Sequence, residues 1–116
     1  MPVFSADNLK ALLFGLSLRL YVNDLTPKRD TPYSAFEELE FGAGGYIPGR
    51  LRSWSIDGDR ATHTPETFIF RDPVGKLFGY FVTRDDATVA WAHRFVEPID
   101  VRLPGTRIII TPKLKI

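Results

Sequence analysis

Between Leu16 and Tyr21 the chain alternates strictly, Leu16, Leu18 and Leu20 against Ser17, Arg19 and Tyr21, which is the period of a strand with one side in a core. The stretch before it, "SADNLKALLFG", carries a different period. Ser5 is placed to cap a short helix, Asp7 lies in its first turn, Leu9, Leu12 and Leu13 share one face, and Gly15 suits the residue just past its end. After the strand, "NDLTPKRDTPY" loses two backbone donors to Pro27 and Pro32, and Asn23-Asp24 favours local side-chain turns, so it reads as a long surface loop. Ser34 and Glu37 stand at capping-box spacing in "SAFEELEF", which "GAGGY" then terminates; a single helical turn and an edge strand both fit.

From Arg50 onward the pattern is strand after strand: "RLRSWSI", "ATHT", "TFIFR", a hairpin, "IDVRL" and "RIIITPKLKI". Asp57-Gly58-Asp59, Asp72-Pro73-Val74-Gly75 and Pro104-Gly105 supply turns between them. The expected fold is mainly β, a single antiparallel β-sandwich or jelly-roll-like domain over residues 16–116, preceded by an N-terminal helical arm over residues 1–15.

The hairpin "LFGYFVTRDDATVAWAHRF" is apolar on both faces. Pairing Thr83 with Val89 places Leu77, Phe81, Val89, Trp91 and Phe95 on one side, and Phe78, Tyr80, Val82, Ala90 and Ala92 on the other. Gly79 then meets His93, and Tyr80 meets Ala92. A register slip changes partners between the strands but leaves each strand apolar on both sides. One small sandwich has little to cover a second apolar face, so this face, with Leu12, Leu13 and Phe14 of the arm, is the expected contact with another subunit.

Length and composition narrow the function. A chain of 116 residues supports one core, and its net charge of +1 provides no general attraction to nucleic acid or anionic lipid. "LKALLFGLSLRLYV" is interrupted by Lys10 and Arg19 and is too short to span a bilayer, and "MPVFSADN" lacks the basic start of a signal peptide. There is no cysteine, and His63 and His93 fall in different strands without ligand spacing, so no metal site or cofactor is expected. Asp57-Gly58-Asp59 lacks the remaining ligands of a calcium loop and reads as a hairpin turn. The glycines of "FGAGGYIPGR" lack a phosphate loop's Lys-Ser/Thr, no serine sits in a nucleophile elbow, and Glu37-Glu38 and Asp85-Asp86 point apart on extended backbone, so no catalytic residues are assigned. Tyr33, Tyr46 and Trp54 are the alternative: aromatic platforms for a sugar.

The order of motifs carries a resemblance over nearly the whole chain. Leu18, Leu20, Asn23, Thr26 and Pro27 form a Leu-x-Leu-x-x-Asn-x-x-Thr-Pro opening, followed by Gly45-Tyr46, a Gly-Tyr-Phe-Val-Thr strand at Gly79 to Thr83, Trp91-Ala92, and a closing Thr111-Pro112-x-Leu114. This resembles small structural proteins of tailed bacteriophages and related environmental viruses. "RDTPYSAFEE" is more charged than the Thr-rich loop typical of that group. The resemblance implies a non-enzymatic virion protein, made in the host bacterial cytoplasm: a capsid decoration, head-fibre or similar assembly subunit that binds copies of itself and the capsid shell or tail. The alternative on the same resemblance is a carbohydrate-binding, receptor-binding part of a tail. Neither implies a membrane or a specific nucleic acid as partner.

Overall fold

Strand β1 (Leu16–Tyr21) forms where the alternation places it, with Leu16, Leu18 and Leu20 fully buried. The computed structural model describes residues 15–84 and 88–115; the expected helical arm, with Leu12, Leu13 and Phe14, and the Asp85-Asp86 turn lie outside the described residues. Eight further strands follow: β2 (Gly49–Leu51), β3 (Trp54–Asp57), β4 (Arg60–His63), β5 (Glu66–Phe70), β6 (Gly75–Thr83), β7 (Val89–Val101), β8 (Thr106–Ile110) and β9 (Lys113–Lys115). They pair in antiparallel ladders ordered β2-β1-β6-β7, β3-β4-β9 and β5-β8. The expected turns are present, with Gly58 at φ 62°, Gly75 at φ 84° and Gly105 at φ 83°, the left-handed region that glycine enters without steric cost.

Two expected strands are divided differently. "RLRSWSI" breaks at Arg52-Ser53, because the imidazole Nε2 of His63 accepts both their backbone N–H groups, at 2.8 and 2.9 Å, and turns them out of the ladder. "IDVRL" is no separate strand as far as Val101, since β7 runs on to that residue. Leu77 pairs with Ile99 and Gly79 with Arg94, so Phe78 alone stands against the β7 stretch from Phe95 to Pro98. Pro98 has no donor to lose from an outer strand.

The hairpin register carries a correction. Thr83 does pair with Val89, but Val82 pairs with Trp91, and the extra residue Ala90 is a β-bulge. Beyond it every partner moves by one: Phe81 faces Ala92, Tyr80 faces His93 and Gly79 faces Arg94. Trp91 and Phe95 therefore join Tyr80, Val82 and Leu77 at the main core, while Ala92 and Val89 join Phe81 and Phe78 on the other side. Tyr80 and Val82, expected at a subunit contact, are instead 8% and 0% exposed in that core.

The second face is covered by the chain itself. Phe36 stacks on Phe81 with centroids 4.5 Å apart, Tyr21 meets Phe36 edge-on at 5.2 Å, and Tyr33 meets Phe81 edge-on at 5.9 Å. The loop is held there by Asn23, whose Nδ2 donates to the Ala35 carbonyl and whose Oδ1 accepts from Glu37 N–H, both at 2.9 Å, in place of the expected local turn. Neither reading of "SAFEELEF" is realised in full: a 3-10 turn spans Tyr33–Ala35 with Pro32 at its N-cap and no side-chain cap, so Ser34 and Glu37 form no capping box, and Glu38 makes an isolated antiparallel bridge to Tyr21 in place of an edge strand. Val22 N–H donates to Glu37 and Leu39 N–H to Leu20, which prolongs pairing along β1 beyond the end of β2. Gly79 is required beneath this cover: a Cβ there would overlap the His93 carbonyl oxygen and lie 2.5 Å from the Tyr21 hydroxyl.

Candidate functional site: a groove beside an unpaired strand edge

The two-stranded β5–β8 ribbon pairs Phe68 with Ile108 and Phe70 with Thr106. Phe68, Phe70, Ile108 and Ile110 turn into the main core, and the period of two sends Thr67, Ile69, Arg107 and Ile109 to the outer face. Ile69 and Ile109 are 54% and 61% exposed there. Their neighbours in sequence concealed this, because "FIF" and "III" are unbroken apolar runs in which the outward residue looks like the inward ones. The usable signal was the middle residue of each triplet, where a half-buried strand normally carries a polar side chain.

Backbone directions follow from two hydrogen bonds. Gly105 N–H donates to the Phe70 carbonyl at 2.7 Å on the β8 side, and Arg71 N–H donates to Gly44 at 2.8 Å on the opposite side. The backbone groups of Thr67 and Ile69 share the direction of Arg71 by strand periodicity, and β5 has no partner strand there among the described residues. They border a groove of about 400 Å³ between β5 and the segment from Gly45 to Arg50. Ile47, 70% exposed, and Pro48 form part of its far wall.

The groove is polarised along its length. At one end the Arg71 guanidinium lies beside Gly45, where a Cβ would come within 3.1 Å of Nε. At the other, Glu66 Oε2 lies beside Gly49, 3.4 Å from a Cβ position. Gly44, at φ 60°, folds the chain against Asp72 so closely that a Cβ would lie 2.9 Å from its carbonyl oxygen. The glycines of "FGAGGYIPGR" thus serve close backbone packing.

The most elaborate polar cluster lies elsewhere, between β1, β6 and the segment at Glu38. The Arg19 guanidinium donates to both oxygens of Glu38, at 3.0 and 3.1 Å, and to Thr83 Oγ1 at 2.8 Å. Tyr46 Oη donates to Glu38 Oε2 at 2.8 Å and accepts from the Leu20 backbone N–H at 3.1 Å. Burial, reinforced by the Glu38 carboxylate, pushes the Tyr46 phenol far above its ordinary value of 10.0. The hydroxyl is a fixed structural bridge.

The expected sugar platforms separate in the fold. Tyr46 is 2% exposed with its hydroxyl engaged, so its assignment as an exposed platform is corrected: the ring fills the core because Leu20 N–H, past the end of β2, needs an acceptor. Trp54 is half-buried, edge-on to His63 at 5.1 Å and to Trp91 at 5.9 Å. Tyr33, 37% exposed, lies over the second face of the hairpin, so the three are not gathered in one site. Of the residues expected at a subunit contact, Phe78, Ala90 and Ala92 are half-buried against the chain's own cores.

His63 uses both ring nitrogens: the two donors at Nε2 fix the proton on Nδ1, which donates to the Thr64 carbonyl at 2.7 Å. Among the described residues no three His, Cys, Asp or Glu side chains cluster as metal ligands, and no helix is long and apolar enough to cross a membrane. Comparison with protein-family models, curated proteins and solved structures finds no match to this chain.

Proposed function

We propose that this protein is a non-enzymatic assembly subunit of a virus particle, of the kind its sequence motifs resemble, and that it works by binding protein surfaces. The observation that carries the reading is the β5 groove: an open, largely apolar channel along unpaired backbone, flanked by exposed Ile47 and Ile69. Such a surface suits recognition of another polypeptide, since main-chain groups supply affinity and flanking apolar side chains supply fit. The β5–β8 ribbon and the β1–β6 pair bury their inner residues in one core, and on this reading they are the two layers of a sandwich.

The test is composition of the particle. Purified particles of the virus that encodes this chain should contain it in many copies, detected by mass spectrometry and by antibody labelling of intact particles. Abundant protein in the infected lysate with none in purified particles overturns the proposal.

A further inference from the structure

We propose that the β5 edge pairs antiparallel with the β5 edge of a second copy of this chain, across a two-fold axis near Phe68. This inference rests on the assembly reading and names the partner of the groove. Its first support is backbone parity. Thr67 and Ile69 direct their N–H and C=O groups away from β8, so in this register Thr67 of one copy lies opposite Ile69 of the other and the two exchange N–H···O=C bonds. The reciprocal pair forms on the far side of the axis, as a two-fold contact requires.

The second support is charge. β5 begins at Glu66 and is followed at once by Arg71, and both side chains lean toward the Gly45–Gly49 wall of the groove. Antiparallel pairing about Phe68 brings Glu66 of each copy to the end occupied by Arg71 of the other. The strand is therefore complementary to its own reverse. No side-chain hydrogen bond or ion pair engages the Arg71 guanidinium among the described residues, and Glu66 has only the His63 ring at 3.8 Å, whose Nδ1 proton is already donated to Thr64.

The third support is the contrast with the longest outer strand. β7 is blunted by Pro98, by the exposed charge of Glu97, by its bulges and by Arg94, which is tied to Asp24 at 2.6 Å. Between Glu66 and Phe70, β5 carries no lysine, no proline and no bulge. Pairing also covers Ile69 and Ile47, which an isolated subunit leaves in water.

Sedimentation equilibrium on the purified protein, from low-micromolar to submillimolar concentration, tests this. The wild type is expected to pass from monomer to dimer. Ile69→Pro removes a donor that no bond among the described residues uses, so circular dichroism should stay native while the dimer is lost. Glu66→Arg and Arg71→Glu each place like charges at both ends of the contact and should weaken dimerisation about tenfold or more, and the double variant should restore it. A purely structural role of either side chain would not produce that restoration, and the charge pair decides the matter if the proline variant fails to fold. A wild type that stays monomeric, a dimer that survives Ile69→Pro in folded protein, or a double variant no better than the single ones overturns the strand pairing. A monomer still present in particles removes only this contact, whereas a dimer absent from particles removes only the assembly reading.

Discussion

Replacing Tyr46 with Phe deletes one oxygen and keeps the ring. That oxygen accepts the Leu20 N–H at 3.1 Å and donates to Glu38 at 2.8 Å. Leu20 is fully buried, and its N–H lies past the last residue of β1 that β2 pairs, so no ladder neighbour replaces the lost acceptor. Leaving a buried backbone donor unsatisfied costs about 1–3 kcal/mol. Glu38 keeps both bonds from Arg19 and retains 13% side-chain exposure, so water can take the vacated position and this part of the loss is about 0.5 kcal/mol. The sum is about 1.5–3.5 kcal/mol, a large share of the stability of a domain this size.

Urea denaturation at neutral pH should show a lower midpoint with an unchanged slope. The alkaline limb provides a second readout. The folded phenol titrates above its unfolded value of 10.0, so above that pH the unfolded state releases protons that the folded state retains, and stability falls as pH rises. Burial also raises Tyr21 and Tyr80, so the wild type should lose stability above pH 10.0 through all three, and Tyr46→Phe should lose it less steeply. A Tyr46→Phe protein as stable as wild type within about 0.5 kcal/mol, with the same alkaline slope, would refute the claim that this hydroxyl stands in for a missing strand neighbour.

Phe36→Ala removes the ring stacked on Phe81 and should cost about 3–5 kcal/mol by thermal or urea unfolding, because the loop is the cover of that face. Ala92→Arg, at a half-buried position opposite Phe81 in the ladder, should lower subunit stability by about 1–3 kcal/mol through overpacking; an unchanged unfolding midpoint would show that this face is free to bind elsewhere. His63→Ala leaves the Arg52 and Ser53 N–H groups without their acceptor and should destabilise by about 2–4 kcal/mol, with accelerated amide exchange at both positions. Gly79→Ala should yield insoluble or unfolded protein, because the added methyl meets the His93 backbone carbonyl, which cannot move without separating β6 from β7.

Local pattern determined the parts of this protein whose cause is local. The alternation of Leu16, Leu18 and Leu20 makes β1 wherever its partners lie, and Gly58, Gly75 and Gly105 mark turns because their backbones enter the left-handed region. The conflict in the hairpin, two strands apolar on both sides, was legible for the same reason. Its resolution was not, because a strand's period of two records which residues share a side and leaves open what lies beyond that side. One extra residue, Ala90, reverses the phase of β7 against β6 and sets Trp91 beside Trp54 at the main core. The cover came from Phe36, distant in sequence from Phe81 and carried on a loop with no periodicity, set in place by Asn23. Likewise Tyr46 looked like an exposed ring beside glycines, and the unpaired N–H of Leu20 drew it inside. The β5 groove belongs to the same class: its exposed isoleucines are indistinguishable from core residues until the β5–β8 register assigns them to the outer face, and its open edge exists only because no described strand lies beside it. Long-range pairing decides such features, since the free energy of a side chain depends on neighbours that the chain brings together only on folding.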